Sequence, residues 1–140
     1  MIELLLAILA TLTGIDRHVD QNLTNIAQVR SAQIVTDFSH DRKPANVAEI
    51  IIYFSDDTNV AQRAANGWLA SAPHAAILKD PSYTHIGCGY TAANGNHYFA
   101  CELSRGVPNT ALDIVQGWFT GLGVLLVIAA SAVWRRRGAG

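Results

Sequence analysis

Between Cys88 and Cys101 the chain reads CGYTAANGNHYFAC. Asn94-Gly95 is a strong signal for a two-residue type I′ turn, because both central residues of that turn need a positive φ. With these two as the loop, Ala93 pairs with Asn96, Tyr90 with Phe99 and Cys88 with Cys101. The thiols then face each other on one side of neighbouring strands. Counting outward from the turn makes them a non-hydrogen-bonded pair, the closer type. This register predicts a disulfide; two buried free thiols are the alternative. Strands are expected over Tyr83 to Thr91 and Asn96 to Leu103. An even cysteine count suits an oxidising compartment.

Downstream, Arg105 to Asn109 reads as a short linker containing Gly106 and Pro108. It leads into IVQGWFTGLGVLLVIAASAVW, Ile114 to Trp134, 21 residues without a charge. As a helix this spans roughly 30 Å, the hydrocarbon thickness of a bilayer. Trp118 and Trp134 sit near its two ends, where amphipathic rings favour the membrane interface. Gly117 and Gly121 form a GxxxG pair suited to close helix packing. Arg135, Arg136 and Arg137 follow at once and place the tail in the cytoplasm, so the preceding residues lie outside it. The expected organisation is an extracytoplasmic domain over 1–104, a linker over 105–111, a transmembrane helix over 112–134 and a basic tail over 135–140. A buried soluble helix is the alternative for the apolar run.

Upstream, Leu4, Ile8 and Leu12 recur at helical spacing, as do Leu5 and Leu9, which predicts a packed first helix. A secretory apolar segment is the competing reading, although Glu3 and the lack of a leading Lys or Arg count against it. A second helix is expected from Gln21 to Val35, with Leu23, Ile26, Ala27 and Arg30 on successive turns. Asp41-Arg42-Lys43-Pro44 reads as a loop. Val47 to Phe54 is β-branched and aromatic, hence a strand or an extended core segment. Thr58 is positioned to cap a third helix that runs to Ala70, closed by Ala72-Pro73. Helices at the start and middle with a terminal hairpin give an α+β layered domain. Half the residues are hydrophobic and 15% are charged, so a core is feasible. With 10 basic and 11 acidic residues and no basic stripe, nucleic acid is not an expected partner.

Four blocks occur in an order that resembles the CAP superfamily (cysteine-rich secretory protein/antigen 5/pathogenesis-related 1), in its bacterial branch. They are Ile26-Ala27-Gln28-Val29-Arg30-Ser31-Ala32-Gln33 with Phe38-Ser39-His40-Asp41, then Val47-Ala48-Glu49-Ile50, then Asn66-Gly67-Trp68-Leu69-Ala70-Ser71-Ala72-Pro73-His74. Last comes Leu78-Lys79-Asp80-Pro81-Ser82-Tyr83-Thr84-His85-Ile86-Gly87-Cys88-Gly89. The resemblance implies an α–β–α sandwich and secretion. It also implies a cleft in which two histidines and two acids can hold a divalent metal such as zinc. Carried over residue by residue, these are His40, His74 and Glu49. The second acid has no match, since Leu69, Ala70 and Ser71 follow Trp68, and Ile50 replaces the asparagine expected after the glutamate.

His40, Glu49 and His74 would suffice for a three-ligand zinc site with an open position, but nothing in local spacing demands one. His85 and His97 alternate with apolar neighbours and are expected to face solvent, whereas Trp68 and Phe99 belong in the core. Ser39, Ser71 and Ser104 lack a glycine-rich elbow or a nearby base, which gives a serine hydrolase no support. The expected function is therefore a membrane-anchored, non-catalytic interaction protein. It would sit on the bilayer as an accessory subunit beside other membrane-protein subunits. The alternative is a membrane-tethered metal-dependent hydrolase, or a lipid- or sterol-binding protein, using His40, Glu49 and His74.

Overall fold

The computed structural model describes residues 1–106. The expected membrane helix, its Gly117 and Gly121, Trp118, Trp134 and Arg135 to Arg137 lie outside the described residues. Among the described residues no helix is long and apolar enough to cross a membrane.

The hairpin forms with the register read from its turn. β3 (His85–Ala93) and β4 (Asn96–Ser104) are antiparallel, with Tyr90 opposite Phe99 and Cys88 opposite Cys101. Asn94 and Gly95 take φ of 53° and 74°, as a type I′ turn requires. Cys88 and Cys101 are disulfide-bonded with Cα atoms 4.1 Å apart. β2 (Ala48–Phe54) pairs antiparallel with β4, placing Ile50 beside Cys101 and Glu49 beside Glu102. The two-residue β1 (His18–Val19) pairs parallel with β3, which completes a sheet of order β1-β3-β4-β2.

Alternation along the strands sends side chains to two different helical layers. On one face Leu5 and Leu9 of α1 (Ile2–Thr13), Trp68 of α3 (Val60–Ala70) and Leu78 of α4 (Ala72–Leu78) pack on Ile50, Phe99, Leu103 and the disulfide. On the other lies α2 (Gln21–Gln33), started by Asp20, whose carboxylate accepts from the Leu23 N–H at 2.9 Å. Gly87 and Gly89 let α2 approach: a Cβ at Gly89 would come within 2.3 Å of the Ala27 backbone. This is the mixed α/β, CAP-like arrangement that the four blocks imply.

Some boundaries differ from the sequence reading. α2 stops at Gln33 rather than Val35, its last turn loosening into i→i+3 bonds at Val35 and Thr36. Thr58 does not cap α3; its N–H and hydroxyl both bond the Asp56 carboxylate, and Asn59 in the left-handed region precedes the helix. Pro73 opens α4 rather than only closing α3, because its fixed φ and missing N–H suit a first helical turn.

The disulfide closes a short loop inside an already paired hairpin, with a sequence separation of 13. Loop-closure entropy for a link of this size predicts that Cys88→Ala with Cys101→Ala costs about 3 kcal/mol. Urea unfolding with and without reductant checks this. Reductant should weaken the parent and leave the double variant unchanged.

Candidate functional site

The spacing of Leu23, Ile26, Ala27 and Arg30 puts all four on the sheet-facing side of α2, and all four are buried. The Arg30 guanidinium meets the Glu49 carboxylate in a two-pronged pair. Nη2 lies 3.0 Å from Oε1 and Nε bonds Oε2, with neither side chain exposed. The remaining donors are also used: Nη1 bonds Gln33 Oε1 at 2.9 Å and Nη2 bonds the Ser39 carbonyl at 2.8 Å. The segment between α2 and β2 carries His40 over this pair, its Nδ1 2.9 Å from Glu49 Oε1 and its ring about half exposed. His74, in the first turn of α4, stands with its ring centroid 6.5 Å from that of His40. Three sequence-nominated residues thus gather at one place, and Arg30 joins them.

Glu102 is a second and unanticipated acid. It lies on β4 opposite both Glu49 and Gly87, hence on the α2 face, and is fully buried. Among the described residues neither of its oxygens has a hydrogen-bond partner, and the same holds for His74 Nδ1. Burial pushes the Glu102 carboxyl well above the usual range, and the Glu49 charge beside it adds to the shift. For Glu49, burial acts in the same direction, but Arg30, with lesser help from the adjacent Glu102 and from His40, outweighs it and holds the group below its ordinary value. His74 is pushed down, chiefly by burial and secondarily by His40. This corner of the interior therefore holds an ion pair flanked by a carboxyl whose burial favours its protonated form.

This arrangement limits the chemistry. A general base needs a lone pair aimed at substrate, yet both Glu49 oxygens are engaged and its charge is neutralised. A divalent metal on Glu49 would sit against a guanidinium. Among the described residues no group of three or more His, Cys, Asp or Glu is placed to hold a metal ion. The set does not fit a three-ligand centre on His40, Glu49 and His74. Because the His40 ring is half exposed, His40→Ala is expected to cost only about 1 kcal/mol in urea unfolding; a loss several times larger would make the ring structural.

Of the two histidines expected in solvent, His85 is half-buried, and the His97 side chain keeps only 12% of its exposure. His97 is held between the Tyr90 hydroxyl at 2.7 Å and Asp57 Oδ1 at 2.6 Å, with its ring stacked on Tyr90. The solvent-facing expectation fails for His97: alternation puts it on the same face of β4 as Phe99 and Cys101, where Tyr90 and Phe54 cover it.

A profile of the cysteine-rich secretory protein family (CAP) matches residues 16–103. A comparison with curated protein sequences finds no match. Among solved structures, an outer surface protein of Borrelia burgdorferi is similar at TM-score 0.59 and 15% identity, over 73% of this chain and 90% of that one. Venom allergen-like protein 4 of Schistosoma mansoni gives 0.60 and 10%, over 73% and 86%. Hookworm platelet inhibitor gives 0.54 and 16%, over 76% and 70%. At these identities the likeness is one of fold.

Proposed function

This chain belongs to the cysteine-rich secretory protein (CAP) family, and we propose that it serves as a non-catalytic, extracytoplasmic interaction domain held on a membrane as an accessory subunit of a larger assembly. The observation that carries the non-catalytic part is the closed pair of Arg30 and Glu49, which turns the family's acidic position into a structural anchor for α2. The disulfide between Cys88 and Cys101 suits an oxidising compartment. The uncharged run from Ile114 to Trp134, followed by three arginines, supports anchoring with the domain outside the cytoplasm. The Borrelia protein of similar fold is described as an outer surface protein, a placement of the same kind.

Gentle detergent extraction from the native membrane followed by native mass spectrometry tests this reading. Recovery within a larger complex at fixed stoichiometry supports the accessory subunit. Recovery alone with a stoichiometric divalent metal, lost in His40→Ala with His74→Ala, makes the metal-dependent alternative correct. Recovery alone with a bound lipid or sterol points to the carrier alternative.

A further inference from the structure

At the opposite edge of the sheet from His40, two other histidines meet. His18 on β1 and His85 on β3 are direct partners in the parallel ladder, with ring centroids 5.1 Å apart and planes at 76°. Strand β1 is the outermost strand, so His18 is exposed, while His85 is half-buried. The Thr84 hydroxyl holds His85 Nδ1 at 2.9 Å, which leaves Nε2 as the free nitrogen of that ring.

We propose that His18 and His85 form a two-imidazole site for a first-row divalent transition metal. With a zinc–nitrogen bond of about 2.1 Å, the ion lies roughly 3.2 Å from each ring centroid, and a tetrahedral angle then separates the centroids by roughly 5.2 Å. The observed centroid separation of 5.1 Å is close to that spacing. A ligating histidine is ordinarily oriented through its second nitrogen by a hydrogen bond, and Thr84 supplies that bond to His85. The exposed His18 ring is free to turn its nitrogen toward the ion. Cations in the flanking segments are engaged elsewhere. The Arg105 guanidinium lies 4.6 Å from the Tyr83 ring centroid and bonds Ser82 and Asp80. Arg17 donates to the carbonyls of Tyr83, Leu78 and Asp80. Two protein ligands leave the remaining positions to water, so the affinity is modest and ordered Cu²⁺ above Ni²⁺ and Zn²⁺. This site is independent of the cleft at His40 and His74.

The test is calorimetric titration of the detergent-solubilised full chain with CuCl₂, NiCl₂ and ZnCl₂, paired with the electron paramagnetic resonance spectrum of the copper form. One ion per chain with imidazole nitrogen coupling is expected. Affinity should fall more than about tenfold in His18→Ala or His85→Ala, fall several-fold in Thr84→Val, and stay unchanged in His40→Ala with His74→Ala. His18→Gln keeps a polar side chain on the edge strand and guards against a folding artefact. Absence of binding, or binding that survives the loss of His18, overturns the proposal. So does binding lost only with His40 and His74.

Discussion

Replacing Arg30 by methionine is expected to remove about 3–5 kcal/mol of folding stability, because it strands a charge rather than merely deleting a contact. Glu49 shows no side-chain exposure, and its remaining partner is His40, whose ring is half in water. The Ser39 carbonyl and Gln33 lose their donors in the same step. The variant should also invert the local pH dependence. In the parent, Glu49 is held below its ordinary value, so its contribution is present above the unfolded pKa and is lost as pH falls through the folded one. Without the guanidinium, burial pulls Glu49 upward against only the weaker influences of Glu102 and His40, so acid should restore part of the loss. Replacing both partners, Arg30→Met with Glu49→Leu, should recover most of the stability, since an apolar pair of similar volume needs no compensation. Urea unfolding at pH 5 and pH 8 separates these outcomes. A single variant within 1 kcal/mol of the parent would show that water already reaches the pair.

How much of this was legible in the sequence depends on whether a signal was local. The Asn94-Gly95 turn fixes a register by counting, so the cysteine pair and the aromatic Tyr90 and Phe99 follow from a dozen residues. The layers were also partly written there: Gly87 and Gly89 alternate on one face of β3, and that missing bulk is where α2 lies. His40, Glu49 and His74 were nominated by resemblance, and the fold does bring them together. What the sequence did not disclose is which partner Glu49 takes. Arg30 occupies an apolar stripe with Leu23, Ile26 and Ala27, a placement that marks a buried cation only once a buried acid is known to face it. Glu102 carried one available signal. An acid in the central strand of a sheet, within the apolar run from Tyr98 to Leu103, is out of pattern and marks a special environment.

That environment leads to the second large effect. Glu102→Gln is expected to change how stability varies with pH, not simply its level. The carboxyl is buried opposite Glu49, without a hydrogen-bond partner among the described residues. Ionising it would place two carboxylates against the Arg30 guanidinium, with Lys43 a weaker influence. Burial first and Glu49 second raise it well above the ordinary glutamate range. The folded protein therefore keeps a proton that the unfolded chain releases. Where the native state binds more protons, stability falls as pH rises, by up to about 1.4 kcal/mol per pH unit for one group. The window opens at the ordinary glutamate pKa and extends upward to the folded one, the reverse of the behaviour at Glu49. Glutamine has nearly the same shape and no charge to acquire, so its two polar atoms impose a burial cost that is constant with pH. The parent and variant curves, measured by urea unfolding from pH 4 to pH 8, should diverge steadily in favour of the variant. Parallel curves would mean that Glu102 ionises freely in the fold. A carboxyl pushed toward its protonated form adds less charge to the corner that Arg30 and Glu49 already balance.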